Sequence, residues 1–431
     1  MPPGTEQRES RDPIVVIGAG AAGLMAALFA ASGGRRRVVL LETTKDGGRK
    51  ILMSGGGRCN VLPSELDPAR FVTESSPNTM RKLLLAWPLA EQRRFFEDEL
   101  ALPLALEEET GKLFPVSNKA RDVRDGLVAA ARRRGAEVRF NARVTALAPD
   151  PARGGWTVGV DGVAEPVRAA RVIVATGGLS VPATGSDGRG LTIARGLGHT
   201  IHETYPALTP LTASPHRYAA LSGISMPVTL DAVDGKRRLT TRGGFLFTHK
   251  GYSGPSVLNL SHVCVRARIR GGPLPRVTAQ WTPRDAGAWE AALRAQEGAV
   301  MSALRGHVPA RLAETLLESA GVSPETPLAQ LRREERLRLV EALARHALPW
   351  SGDEGYTKAE VTGGGVALSE IDPRTLESKL HPGLYLCGEI LDAFGPIGGY
   401  NFCWAWSTGR TAGMAAAAAD GAGETRGGGT A

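Results

Sequence analysis

Ile14-Val15-Val16-Ile17-Gly18-Ala19-Gly20-Ala21-Ala22-Gly23, followed by Val38-Val39-Leu40-Leu41-Glu42, is the stretch on which the fold turns. An apolar, β-branched run enters a Gly-x-Gly-x-x-Gly turn, and the small-residue segment Leu24–Ala31 after it reads as a helix. Gly18 permits the tight turn, Gly20 lets a pyrophosphate approach the backbone, and Gly23 lets helix and strand pack closely. The phosphates then sit at the helix N-terminus, at Ala21 and Ala22, where amide N–H groups and the macrodipole favour anions. Glu42 ends the second strand about twenty residues beyond the last glycine, where a carboxylate accepts bonds from ribose hydroxyls, with Thr43 beside it. A glycine motif alone arises by chance among 54 glycines. Strand, helix and acid in this order predict a dinucleotide site.

A chain of 431 residues exceeds one ordinary core, so two or three domains are expected. No segment reaches the roughly 18–20 uninterrupted apolar residues of a membrane span. Met1–Asp12 is polar and lacks the apolar core of a signal peptide. Cys59, Cys264, Cys387 and Cys403 lie far apart, which argues against a disulfide framework or a zinc knuckle and fits a reducing cytoplasm. No histidine or cysteine cluster has metal-ligand spacing, so no metal is expected. The net charge of +8 comes mostly from arginine in an Ala-, Gly- and Pro-rich chain, a bias that genome composition alone produces. Its distribution is uneven. Between Asp231 and Arg270 eight basic residues (Lys236, Arg237, Arg238, Arg242, Lys250, Arg266, Arg268, Arg270) stand against two acidic ones. Residues 231–270 therefore read either as a surface for nucleic-acid phosphates or as a solvated sheet face.

The first part of the chain continues as α/β. A helix is expected over Lys119–Arg134, ending at Gly135, and strands over Glu137–Phe140, Arg143–Ala148 and Trp156–Val160. Val172–Ala175 reads as a buried strand running into Thr176-Gly177-Gly178, where glycine leaves room for a cofactor. After His199 the pattern becomes β-rich. Met226–Val233 alternates, Asp234-Gly235 reads as a hairpin turn, and strands are expected at Arg238–Thr241, Phe245–Thr248, Val263–Ile269 and Arg276–Trp281. Ala286–Leu348 is helical by pattern with a break around Gly321–Pro327, and an Ala-rich helix, Ser407–Ala419, closes the chain.

Three further motifs carry a family resemblance: Gly48–Asn60, with its Ser54-Gly55-Gly56-Gly57 core; Lys358–Val366, with Thr362-Gly363-Gly364-Gly365; and Gly383–Asp392, continued by Gly395-Pro396-Ile397-Gly398-Gly399-Tyr400-Asn401. With the opening fingerprint they resemble the bacterial HI0933-like flavoproteins, also called YhiN-like or aminoacetone-oxidase-like, over about Ile14 to Gly413. The resemblance extends through Leu113–Ser117 and Phe245–Pro255. It implies an α/β fold: a Rossmann-like FAD-binding domain of the two-dinucleotide-binding-domain flavoprotein type, with an inserted β-rich, barrel-like domain and a helical subdomain. The expected boundaries are 1–199 and 355–420 for the FAD domain, 200–283 and 346–354 for the β-rich domain, 284–345 for the helical insertion and 421–431 for a disordered tail. FAD is the implied cofactor. Ser54, Gly55 and Gly56 would cradle phosphate or ribityl through backbone amides, next to Asn60. Arg49, Lys50 and Arg58 would offset phosphate charge. Gly388 and Glu389 would meet the ribityl chain, while Val144, Ala175, Thr176, Gly177 and Gly178 would add cofactor contacts. Gly398, Gly399, Tyr400 and Asn401 open the last helix, whose N-terminus would point at the flavin pyrimidine.

For catalysis, Cys59 and His249 are the candidate acids, weighed against a buried packing role for the one and a structural role for the other. Trp404 and Trp406 read as core. A second Gly-x-Gly-x-x-Gly unit is absent from the sequence, so NAD(P)H would donate electrons by transient docking, or another donor would take its place. Three functions stay open. The first is reduction of an activated C=C or C=N bond, in a small molecule or in a uridine of ribosomal RNA held through the basic 231–270 region. The others are oxidation of a small amine such as aminoacetone, and a flavin-bound assembly factor without turnover. No membrane partner is expected, and the cytoplasm is the expected location.

Overall fold

The computed structural model describes residues 12–34, 36–235 and 237–419; the expected tail 421–431 and Lys236 of the basic stretch lie outside them. Contacts divide the chain into two units. One runs to Thr204 and resumes at Val361, and the other is Tyr205–Glu360.

In the first unit β1 (Ile14–Ile17) is buried at every position, as a strand covered on both faces must be. α1 (Ala21–Ser32) starts at Gly20 and buries Leu24, Met25 and Leu28 among its alanines, and β2 (Val38–Leu41) is again wholly buried. In α2 (Arg49–Gly57) the residues Ser54, Gly55 and Gly56 leave helical dihedrals, so the last turn is a glycine bend. β3 (Leu62–Pro63), α3 (Pro77–Leu85) and α4 (Leu89–Arg94) lead to the hairpin of β4 (Leu104–Glu107) and β5 (Lys112–Pro115). α5 (Ala120–Arg133), β6 (Ala136–Arg139), β7 (Val144–Pro149) and β8 (Trp156–Val160) follow within a residue or two of their expected places. β9 (Val167–Ala169), β10 (Arg171–Val174), α6 (Arg189–Gly196) and β11 (Ile201–Ala207) come next, and β11 carries the chain out of the unit.

The second unit holds β12 (Leu211–Thr212), β13 (Ser225–Asp234), β14 (Arg237–Phe247), β15 (Gly251–Ser253), α7 (Pro255–Ile269) and β16 (Arg276–Gln280). Helices α8 (Ala286–Ala295), α9 (Val300–Leu304), α10 (Ala310–Ala320) and α11 (Arg333–Ala344) precede the short strands β17 (His346–Ala347) and β18 (Gly352–Asp353). Seven strands form an antiparallel sheet in the order β17-β16-β13-β14-β15-β12-β18. Two expectations are corrected here. Val263–Ile269 is the end of α7 and not a strand: Val257, Leu260, Ser261 and Cys264 recur at helical spacing on its buried side, and Pro255 starts the helix. The strands expected at Arg238–Thr241 and Phe245–Thr248 are one continuous β14, because its central Gly243 and Gly244 make room for Pro255.

Two histidines, His346 buried and His262 half-buried, are expected to make this unit acid-sensitive. His262 (Nδ1 to the Asn259 carbonyl, 3.0 Å) and His346 (Nε2 to Tyr218 Oη, 2.8 Å) are both pushed down to about 4 from 6.5, chiefly by burial. The unfolded chain takes up these protons below about pH 6.5 and the folded unit only near pH 4, so the unfolded state binds more protons in between. Stability is therefore expected to fall as pH drops through that window, by about 3 kcal/mol per histidine. Urea unfolding at pH 7 and pH 5 checks this; a midpoint that does not move, or a His346→Gln variant with the same pH slope, would contradict it.

The chain re-enters the first unit with β19 (Val361–Val366), β20 (Leu384–Leu386) and α12 (Tyr400–Ala418). The last helix begins at Tyr400 rather than Ser407, since Cys403, Trp404, Trp406 and Ser407 are all buried along one continuous helix. Five strands make a parallel sheet in the order β20-β10-β1-β2-β6, with β1 paired to β10 and β2. α12 lies against α1, where Gly409 and Gly413 leave no side chain between it and the carbonyls of Ala22 and Ala26. The carboxyl ends of β1, β2, β10 and β20 thus come to one edge, the place where open α/β sheets bind ligands.

Candidate functional site

At that edge the opening turn is built as the sequence requires. Gly18 has φ +99°, and a Cβ there would stand 2.6 Å from the Ala175 carbonyl oxygen; a Cβ on Gly23 would collide with the Gly18 carbonyl. Gly20 differs. It caps α1 in an extended conformation, and a Cβ on it would meet nothing within 4 Å. That is open space in front of the first turn formed by Ala21 and Ala22, which suits a ligand phosphate. Glu42 is buried beside this turn. Its Oε2 accepts from the Ala19 amide at 2.6 Å, and its Oε1 accepts from the Thr44 amide and hydroxyl at 2.7 Å. Thr44, which the sequence reading passed over, is the residue that orients the acid; Thr43 is exposed. Val144 is a core residue at the start of β7.

Four stretches far apart in sequence meet around Glu389. Lys50 Nζ donates to Glu389 Oε2 at 2.6 Å and to Ser180 Oγ, while Ser180 Oγ donates to Glu389 Oε1 at 2.7 Å. The Thr362 amide completes the set at 3.0 Å, and Thr362 Oγ1 accepts from the amides of Leu179 and Ser180. Gly178 is small because Thr362 lies against it, and Gly177 because Ser186 does. Thr176 Oγ1 is buried without a partner and faces Gly190, and Ala175 continues the sheet by bonding to Ile17. Ser180 and Thr362 were absent from the residues read as site candidates; the second lay inside a quoted motif, the first carried no signal.

The small sheet β3-β5-β4 supports two glycine turns at once. Phe114 sits under Gly55, Lys112 runs along Gly398, and the Leu62–Pro63 backbone lies under Gly399. Arg58 stacks over the Phe114 ring at 4.0 Å and pairs with Glu107 at 2.9 Å. Arg49 pairs with Asp46 and the Ala183 carbonyl. The three cations expected to offset phosphate charge therefore each hold a protein acceptor. Asn60 packs beside Gly55, and Ser54 Oγ donates back to the Ile51 carbonyl. Tyr400 Oη accepts from Arg70 at 2.7 Å. Asn401 spends its side chain on its own loop, accepting from the Gly395 amide and donating to the Gly395 carbonyl at 2.9 Å each. The first turn of α12 has no side-chain cap, and Gly388 is held by Thr408.

The two candidate acids belong to different units. Cys59 is fully buried behind the glycine bend, and burial pushes its thiol up to about 12, as befits a packing residue rather than a proton donor. His249 is exposed in the second unit, between β14 and β15. The basic stretch is partly neutralised: Arg238 forks onto Asp231, Arg268 pairs with Asp353 at 2.5 Å, and Arg266 lies over the Tyr205 ring. Arg242 and Lys250 are exposed. All four cysteines are free and buried. Among the described residues no group of three or more His, Cys, Asp or Glu side chains is placed to hold a metal ion, and no helix is long and apolar enough to cross a membrane.

A parallel sheet, a glycine turn opening α1 and an acid at the end of β2 define a Rossmann-type dinucleotide-binding fold. Residues 12–415 match the family model of the HI0933-like protein Rossmann domain, and the chain belongs to that family of flavoprotein oxidoreductases. It is 33% identical over 372 residues to a 3-dehydro-bile acid delta(4,6)-reductase of Clostridium scindens, covering 84% of this chain and 88% of the relative. It is likewise 33% identical over 364 residues to a ribosomal RNA dihydrouridine synthase of Escherichia coli, covering 82% and 85%. Among solved structures, a 3-ketosteroid delta1-dehydrogenase of Sterolibacterium denitrificans shares the fold with a TM-score of 0.52 at 13% identity, over 95% of this chain and 99% of that one.

Proposed function

We propose that this protein is an FAD-dependent reductase that adds hydride to a C=C bond conjugated with a carbonyl, and that its substrate is a uridine of ribosomal RNA. The observation that carries the reading is the shared chemistry of two relatives of equal identity. A delta(4,6)-reductase and a dihydrouridine synthase both saturate a C=C bond next to a carbonyl system. The RNA version is supported by the net charge of +8 and by Arg242 and Lys250, which stay exposed in the basic stretch. On this reading the work is done in the cytoplasm, where ribosomal RNA is.

The residues present fit FAD. Open space at Gly20 and the amides of Ala21 and Ala22 would take the pyrophosphate, and Glu42, held by Ala19 and Thr44, would meet the adenosine ribose. The Ser54–Gly57 bend and Glu389 would hold the ribityl chain, with Lys50 and Ser180 keeping the Glu389 carboxylate in one orientation. The N-terminus of α12 would receive the pyrimidine end, where its dipole favours negative charge. When bound, FAD supplies the hydride, recharged by NAD(P)H docking transiently. Asn401 keeps the loop before α12 closed, which fixes the helix start.

The test is mass spectrometry of digested ribosomal RNA from cells with and without the gene, together with incubation of the FAD-loaded protein, NADPH and RNA from the deletion strain. One dihydrouridine lost in the deletion and restored in vitro is the expected result. Unmodified RNA, with turnover of a conjugated steroid dienone instead, would move the substrate to small molecules. Turnover of neither would overturn the reading.

A further inference from the structure

Lys112 opens β5, and the register of β4 with β5 sets it opposite Glu107. Opposite charges across an antiparallel pair ordinarily join. Here the two side chains form no ion pair: Glu107 Oε1 accepts from Arg58 at 2.9 Å and Oε2 from Thr110 at 2.6 Å. The Lys112 side chain makes no hydrogen bond or ion pair among the described residues. Its stem lies along the turn before α12, where a Cβ on Gly398 would come within 3.5 Å of Lys112 Cε. The side chain is half-buried, and burial pulls its pKa below the usual lysine value, with Glu107 pulling the other way. A half-desolvated ammonium that no carboxylate contacts, feeling Glu107 only at a distance, gains from a further anion beside it. The neighbouring N-terminus of α12, a helix of 19 residues without a side-chain cap, favours the same sign of ligand.

We infer that Lys112 is a positioning charge for the cofactor: its ammonium and the start of α12 together receive the pyrimidine edge of the flavin and stabilise the ring once it is reduced. A hydride brings two electrons and one proton, which leaves one negative charge on the ring to be met by protein cations. The inference rests on the FAD reading above and adds a residue and a consequence to it. Lys112 sets how readily the flavin accepts hydride, so it governs the match between the electron donor and the C=C bond.

The experiment is spectroelectrochemistry of the FAD-loaded protein and of Lys112→Met and Lys112→Arg. Methionine keeps the stem and removes the charge; arginine keeps the charge. Lys112→Met is expected to weaken binding of reduced relative to oxidised FAD at least tenfold, a fall of about 30 mV in the two-electron potential, and to weaken the sulfite adduct of the flavin similarly. Lys112→Arg is expected to restore most of both. A Lys112→Met protein that binds FAD with an unchanged potential overturns the inference and leaves the FAD reading standing. Wild-type apoprotein that takes up no FAD overturns both.

Discussion

Gly20→Val is expected to leave the protein folded and to strip it of FAD. The backbone at Gly20 is extended (φ −76°, ψ −172°), a conformation that a β-branched residue adopts freely, and the added side chain meets no protein atom within 4 Å of its Cβ. The same side chain fills the space in which the pyrophosphate would approach the amides of α1. Two charge-assisted hydrogen bonds lost there, at about 1.5–3 kcal/mol each, lower the affinity by roughly two to four orders of magnitude. Flavin absorbance per protein after gel filtration, read beside a thermal melt, measures both halves. A Gly20→Val protein that retains FAD and melts normally would remove the phosphate from this turn. Gly23→Val is the counterpart, because its Cβ collides with the Gly18 carbonyl; it is expected to fail at folding rather than at binding.

Asp392→Ala is expected to destabilise the first unit by about 2–6 kcal/mol. The carboxylate is buried, at 1% exposure, and a single oxygen, Oδ2, gathers the Thr73 and Ser75 hydroxyls at 3.0 and 2.7 Å and the Glu74 and Ser75 amides at 3.0 and 2.8 Å. Burial pushes this carboxyl above its ordinary range, while those hydroxyls and His202 pull it back. Alanine leaves the donors without an acceptor, and a buried unpaired amide costs about 1–3 kcal/mol. Asp392→Asn keeps an acceptor and is expected to lose less than half as much. Urea midpoints of the two variants decide the matter; equal, small losses would mean that segment 73–75 is held by packing alone.

These two sites differ in how far the sequence revealed them. Gly20 was legible because its role depends on neighbours within a few residues: a strand before, a helix after, and a turn that only glycine completes. Asp392 sat inside a quoted motif, yet its partners are about 320 positions away in the chain, and no local pattern announces them. The same holds for Lys50 and Glu389, which are 339 positions apart and joined at 2.6 Å. Alternation misled once, at Val263–Ile269, where apolar and basic residues at every second place also satisfy a helix that buries Val257, Leu260 and Cys264. The pairing inside the basic stretch was equally out of reach of local pattern, since Asp353, the partner of Arg268, lies well outside it.

The sequence by itself determined the elements and the ligand class: β1, the glycine turn, α1 and Glu42, the helices beyond Ala286, and the resemblance to a flavoprotein family. The elements rest on spacing along the chain, and the family rests on the motifs that resemble it. Only the tertiary structure decided which charges remain available. Arg49, Lys50 and Arg58, which read as offsetting phosphate charge, are paired with protein acids, whereas Lys112, which carried no signal, stands beside Gly398 with no ion pair from its side chain. A charge is neutralised by whatever the fold brings within about 4 Å, and that distance is set by packing rather than by order in the chain.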